Sequence, residues 1–343
     1  MTERPQQGGL FGPLDEEARD ADRVAPCPPP AGALALAEQL PKRLRMGTSS
    51  WMFPGWRGLV YAKDAPTKQL SRRGLSAYSQ HPLLGAVGVD RTFYSPIARQ
   101  DFADYAAQVP ASFRFLVKAW GELTAPTVRG KPGKNPRYLN VDSAIDDVLT
   151  PAFEGLDKKL GPLLFQFPPQ GAAITKRPRA FADALHAFFA AMPKGLDYAV
   201  ELRDEALLTD QYVQAITAAS ARHCYSVHPR MPSIARQLQA APLQRGSAGP
   251  ITVRWMLHSG LSYEEAKEHY KPFDKILDPD NDSRSAIASI SKEALKLDAD
   301  STLVPHNLGA LLADTLAART PDSLIRCRPR PLGFLGSLGK ASD

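Results

Sequence analysis

Short apolar or β-branched runs recur along the chain, each followed by a stretch whose apolar positions fall three or four apart. The runs are Met46–Ser50, Ala86–Tyr94, Phe113–Trp120, Pro162–Phe167, Tyr198–Arg203, His223–His228, Ile251–Met256 and Ser301–Asn307. The amphipathic stretches are Lys68–Gln80, Ser143–Lys159, Pro178–Ala191, Leu208–Ala221, Tyr263–Tyr270 and Leu308–Arg319. The first pattern predicts strands and the second helices. Strand-then-helix alternation indicates parallel βαβ units, because parallel neighbours need a crossover. Eight such units match a (β/α)8 TIM-barrel-like single domain, typically ~250 residues long. A doubly wound open sheet is the runner-up, but it would carry a glycine-rich first turn, and no GxGxxG occurs here.

The ends break the pattern. Residues 1–41 hold seven acids, among them Asp15, Glu16 and Glu17, and the run Pro26-Cys27-Pro28-Pro29-Pro30. Such composition buries too little apolar surface to offset its ordering entropy, so 1–41 is predicted to be a disordered tail. Residues 321–343 read as a second tail, basic and rich in proline and glycine. The domain is then 42–320, and deleting both tails is expected to leave its stability unchanged. Acids precede any apolar run at the start, unlike a signal peptide, and the expected location is cytoplasmic.

Composition adds exclusions. The 343 residues are 43% hydrophobic and 23% charged, ordinary for a globular domain. No run approaches the ~18 apolar residues of a membrane helix, so no membrane partner is expected. Cys27, Cys224 and Cys327 show no CxxC spacing, which excludes a disulfide scaffold and a zinc ribbon. A net charge of +6 is modest beside the dense basic face of a duplex binder. Nucleic acid is therefore an alternative partner and a small anionic molecule the preferred one.

In a barrel of this kind, sites form at the C-terminal ends of the strands. The residues falling there are Asp90, Lys118, Gln166, Glu201, Arg203, His228, Arg254 and Asn307. Glu201 and Arg203, two apart on a strand, share a face. They read either as a general acid/base beside an anion clamp or as an ion pair filling the interior. Catalysis by Glu201 is the preferred reading. In a solvated mouth, Glu201→Gln would then cost under ~1 kcal/mol of stability. Lys118, Arg203 and Arg254 set three cations against Asp90 and Glu201, which favours a phosphate- or carboxylate-bearing ligand of sugar or nucleotide origin. A Schiff-base role for Lys118 would need a depressed pKa.

All four tryptophans lie at or beyond predicted strand ends. Trp51 and Trp120 are the candidates for stacking on a ligand, with loop packing as the other reading. The long connection 121–140 carries Arg129, Lys131, Lys134 and Arg137, and reads as a lid or as a solvated basic loop. Neither HxH nor HExxH spacing occurs, no metal is expected, and no motif implies a cofactor.

Six segments carry a family resemblance. Gly47-Thr48-Ser49-Ser50-Trp51, Gly88-Val89-Asp90-Arg91-Thr92-Phe93-Tyr94 and Phe113-Arg114-Phe115-Leu116-Val117-Lys118 come first. Gly161-Pro162-Leu163-Leu164-Phe165-Gln166-Phe167-Pro168-Pro169 and Ala199-Val200-Glu201-Leu202-Arg203 are the most specific, and Val253-Arg254-Trp255-Met256 continues the match. Over about residues 45–300 the chain resembles the YecE-like family, a domain of unknown function. The resemblance implies a (β/α)8-barrel-like fold and brings no reaction with it. It breaks at Pro305-His306-Asn307-Leu308-Gly309-Ala310, where the family shows an Asn-Asn pair and an Ala-Glu-Gly turn and only Asn307 matches.

Overall fold

Strands that are covered on both faces must be apolar on both, and the strand-forming segments of this chain are of that kind. The structure, a computed structural model, describes residues 23–128, 130, 132–243, 250–255, 263–270, 285–286, 288–291, 293 and 301–303. Helix α1 (Ala31–Gln39) leads into β1 (Leu44–Thr48), α2 (Thr67–Tyr78), β2 (Ala86–Val89), α3 (Arg99–Ala106) and β3 (Arg114–Lys118). Then come α4 (Thr150–Leu156), β4 (Leu160–Gln166), α5 (Pro178–Ala191), β5 (Tyr198–Glu201) and α6 (Asp210–Ala218). The rest is β6 (Ala221–His223), β7 (Tyr225–Val227), α7 (Ile234–Ala240), β8 (Ile251–Trp255), α8 (Tyr263–Tyr270) and β9 (Ser301–Leu303).

Strands β1 to β6 pair in parallel in chain order and form a curled sheet, half of a barrel. On the far side of β1 lie β9, β8 and β7, again parallel. The architecture is a mixed α/β fold on a curled parallel sheet, a coarser result than the complete barrel that the strand count predicts.

The sheet's convex face packs on helices through aromatic rings. Phe165 of β4 meets Phe188 and Phe189 of α5 edge to face, with centroids 5.5 and 5.2 Å apart. Inside the curl, Leu116, Leu164, Ala199 and Cys224 form a separate apolar cluster. Each stands two residues before a polar one, respectively Lys118, Gln166, Glu201 and Ser226, so the strand period lays an apolar floor beneath a polar layer. Close approach also selects glycine. A Cβ at Gly47 would sit 1.9 Å from the Ala86 carbonyl oxygen, and one at Gly155 of α4 would sit 2.6 Å from that of Arg99 in α3.

Several expectations change. The predicted strand Ala86–Tyr94 stops at Val89, and Asp90–Phe93 is a 3-10 turn. The Thr92 hydroxyl, 2.6 Å from the Val89 carbonyl oxygen, bends the chain there despite its β-branched composition. The run His223–His228 becomes two short strands separated by Cys224. Helix α3 went unread because among its eight residues only Phe102 and Tyr105 are buried, too few for a periodic signal. Helix Leu308–Arg319 and the tail 321–343 lie outside the described residues, as do residues 1–22.

The expectation of a disordered tail through residue 41 is corrected for its second half. Val24, Ala33 and Leu36 are buried in the core. Cys27 N–H donates to the Val60 carbonyl and Ala62 N–H to that of Ala25, 2.8 and 2.9 Å, so the segment is tied to the loop after β1. The proline cluster and the alanines after it conceal this in the sequence, since a few buried side chains suffice when backbone bonds hold the rest. A chain starting at Pro41 should therefore be less stable than one starting at Arg23. Losing the packed Val24 and Leu36 side chains should cost at least ~2 kcal/mol. Comparative thermal melts measure it, and coincident midpoints would restore the tail reading.

Candidate functional site

Five strands deliver polar side chains to one end of the curl. Asp90 follows β2 directly, Lys118 ends β3, Gln166 ends β4, Glu201 ends β5 and Arg254 lies in β8. Gln166 and Glu201 are register partners, which sets their side chains next to one another. The parity of each strand that buries Leu116, Leu164 and Ala199 below is what aims these groups inward.

Arg254 is the hub. Its Nη1 donates to Glu201 Oε2 at 2.7 Å and to Gln166 Oε1 at 3.0 Å, and its Nη2 donates to Asp90 Oδ2 at 3.1 Å. Arg203 closes the other side of Glu201, Nη1 to Oε1 at 2.5 Å, an ion contact whose angles are not those of a hydrogen bond. Arg203 Nη2 also donates to Gln166 Oε1 at 3.3 Å. Glu201 and Arg254 are 0% exposed and Arg203 is 5% exposed. Lys118 is set apart. Its Nζ stands 4.0 Å from Asp90 Oδ2, beyond hydrogen-bond distance, and 4.2 Å from the centroid of the Phe93 ring.

Electrostatics sorts these groups. Burial alone would raise the Glu201 carboxyl, but Arg203, Arg254 and Lys118 outweigh it and bring the pKa down to about 2. Glu201 is therefore a fixed anion at neutral pH. Burial lowers Lys118 to about 8, helped by Arg254 and Arg203 and opposed by Asp90 and Glu201. Burial and then Arg203 hold His228 down at about 4, so its imidazole is neutral, and Nδ1 accepts the Arg230 backbone N–H at 3.1 Å. Burial raises the Cys224 thiol, which stays protonated as part of the floor.

The tryptophan expectation changes. Trp51 is 1% exposed, its Nε1–H donates to the Leu70 carbonyl at 2.9 Å and its ring meets Tyr105 edge-on at 4.8 Å. It is a packing anchor between the loop after β1 and helices α2 and α3, with no face left for a ligand. Trp120 is half-buried, and one face carries the Arg137 guanidinium at 4.8 Å. Asn307 lies outside the described residues, as do Arg129, Lys131 and Met256.

A polar rim around the cluster escaped the sequence reading. Asp204 accepts from Gln170 N–H at 2.6 Å and from Arg230 Nη2 at 3.3 Å, while Arg230 Nε donates to the Arg203 carbonyl at 3.1 Å. Gln170 Nε2 donates to the Thr124 carbonyl at 3.0 Å, and its Oε1 accepts from the Tyr138 hydroxyl at 2.8 Å. Asn135 Nδ2 donates to the carbonyls of Glu122 and Ala125, 2.6 and 2.8 Å. These bonds pin the base of the 121–140 connection to the loops after β4 and β5. The only available signal was adjacency: Asp204 follows Arg203, and Gln170 follows the Pro168-Pro169 pair. Among the described residues no three His, Cys, Asp or Glu side chains gather as a metal site, and no helix is long and apolar enough to cross a membrane.

Comparison with known proteins places this geometry in context. The sequence model of a family described as protein of unknown function DUF72 matches residues 45–295. No curated protein matches the chain. Among solved structures, a DUF72 family protein from Enterococcus faecalis V583 aligns with a TM-score of 0.51 at 19% identity, covering 84% of this chain and 100% of that one. A DUF72 family protein from Thermotoga maritima MSB8 gives 0.51 at 16% identity, with 80% and 96% covered. At these identities the likeness is one of fold.

The burial of Glu201 reverses the expected outcome of its substitution. Glu201→Gln leaves two buried guanidiniums undercompensated and should cost ~3–5 kcal/mol, where a solvated acid/base would cost under ~1. A denaturant melt beside the parent protein reads the difference. A carboxyl depressed from 4.5 to about 2 on folding stabilises above 4.5, and that stability is lost as pH falls toward 2. The parent should lose stability across this window, and the Gln variant should lose less.

Proposed function

The chain belongs to the DUF72 family of proteins of unknown function, and we propose that it is an enzyme whose mouth binds a small phosphate- or carboxylate-bearing molecule. The framework of this reading is a complete (β/α)8 barrel. Strands β6 and β7 are separated by Cys224 alone, and Cys224 N–H donates to the Val200 carbonyl of β5 at 2.8 Å. Taken as one strand, they pair with β5 on one side and β8 on the other, returning the row of strands on itself. The mouth is then the end where strand C-termini place function in such barrels.

The observation that carries the proposal is the charge balance of the buried cluster. Three cations, Lys118, Arg203 and Arg254, face two carboxylates, and the two guanidiniums are held by short contacts while Lys118 is not. An entering anion completes the set. In this reading Glu201 is a positioning residue for Arg203 and Arg254 rather than the acid/base, and Lys118 is the group that meets the ligand. Gln166 and Asp90 fix Arg254, His228 contributes a neutral imidazole nearby, and Arg230, 56% exposed at its side chain, adds positive charge at the rim. Asn307 would belong to the same mouth from the last strand.

A non-catalytic nucleic-acid binder is the second reading, resting on the same cations. Its stacking platform is weakened by the cover on Trp51 and Trp56, which are 1% and 6% exposed. Salt separates the two, since an oligonucleotide contacting several phosphates loses affinity steeply between 50 and 200 mM salt, and a one-anion pocket changes little.

Sulfate, whose charge is constant near neutrality, tests the proposal. Stabilisation of the protein by millimolar sulfate at fixed ionic strength should be clear at pH 7. It should fall roughly tenfold in apparent affinity by pH 9, as an ammonium with a pKa near 8 loses its proton. Lys118→Met should remove most of the effect and all of its pH dependence. Equal stabilisation of Lys118→Met, or none of the parent, contradicts the site.

A further inference from the structure

We infer that Lys118 is a reactive amine that forms an imine with an aldehyde or ketone bearing a carboxylate or phosphate. The inference rests on the anion-binding reading of the same mouth and adds a bond and a ligand class to it. Three features of position carry it. The side chain ends β3 above Leu116, so its base is held by the apolar floor. Its Nζ lies over the Phe93 ring and out of hydrogen-bond reach of Asp90, so among the described residues no acceptor ties down its N–H groups. Arg254 and Arg203 stand in the same cluster, and their positive field draws an anionic group in while the amine meets a carbonyl carbon.

The contrast with the other lysines is physical. Lys159, for example, is spent as a cation, donating to the carbonyls of Ala106 and Val109 at 2.6 and 2.7 Å. Free lysine amines in water have a reference pKa of ~10.4. With burial lowering Lys118 to about 8, its neutral fraction at pH 7 is on the order of 200-fold larger than theirs. Desolvation beside other cations is a recognised way of activating a lysine nucleophile.

The step balances without a further reagent. The Nζ lone pair of neutral Lys118 attacks the carbonyl carbon, the carbonyl electron pair moves to oxygen, and the oxygen takes the proton that the nitrogen gives up, which leaves a neutral carbinolamine. The nitrogen lone pair then forms the C=N bond as the hydroxyl, protonated from solvent, departs as water, which leaves the protonated imine. Water reverses the sequence and returns the amine. The anion on the ligand stays within the positive field of the two guanidiniums throughout.

Reductive trapping tests this on the full chain. Glyoxylate and pyridoxal phosphate serve as carboxylate and phosphate probes and formaldehyde as an uncharged one, each with cyanoborohydride, which delivers hydride to the imine carbon and seals the bond. Peptide mapping should show Lys118 modified at least about tenfold faster than the surface lysines by all three probes, a margin well inside its excess of neutral amine. Sulfate should slow the two anionic probes. Lys118→Arg, which keeps the charge, should lose that label while the remaining lysines react as before. Fast labelling of Lys118 by formaldehyde but not by the anionic probes overturns the ligand class and the anion reading beneath it. Labelling of Lys118 no faster than surface lysines by any probe overturns the reactive amine, and sulfate stabilisation then still stands as evidence for the anion site.

Discussion

A carboxylate with no solvent exposure, held between two guanidiniums, is the interaction on which this end of the molecule depends. Removing such charges from water costs several kcal/mol per ion, and only close pairing and further hydrogen bonds return it. Glu201 meets that condition with Arg254 at 2.7 Å and Arg203 at 2.5 Å. Arg254 in turn reaches Gln166 and Asp90, so one guanidinium ties the ends of β2, β4, β5 and β8 together. Strands far apart in the chain are thereby fixed at the end where their loops begin. The geometry leaves little freedom to move any one of them alone.

That constraint also determines what is left for chemistry. The two arginines are committed to carboxylates and to Gln166, and Glu201 is a permanent anion. Lys118 sits within the same field but outside the short contacts, over an aromatic ring and mostly desolvated. The structural part of the cluster therefore creates the environment in which the remaining amine becomes titratable near physiological pH. The rim from Gln170 to Asp204 and Arg230 adds stiffness around it, because its bonds run between the loops after β3, β4 and β5.

Much of this was legible in the chain. The period of two put Glu201 and Arg203 on one face, and counting strand ends gathered Asp90, Lys118, Gln166 and Arg254 into one set. What the chain could not show was how deeply the set is buried, because that depends on Arg254 arriving from 53 residues away to cover Glu201. A single strand reads the same whether its carboxylate faces water or a guanidinium. Trp51 failed for a related reason: its position at a strand end was right, and its fate was decided by a carbonyl on α2. The segment before β1 was misread because three buried side chains and a few backbone bonds leave no period in the sequence.

The most direct test of the account is a double-mutant cycle between Glu201 and Arg254, read by denaturant melts of Glu201→Gln, Arg254→Met and the pair together. If the buried ion contact organises the mouth, the double variant should lose about as much stability as the worse single one. The coupling should then exceed ~1.5 kcal/mol, within the range of residues in one network. Losses that add to within ~0.5 kcal/mol would show two independent side chains, and the account of the site as one interlocked charge cluster would be contradicted.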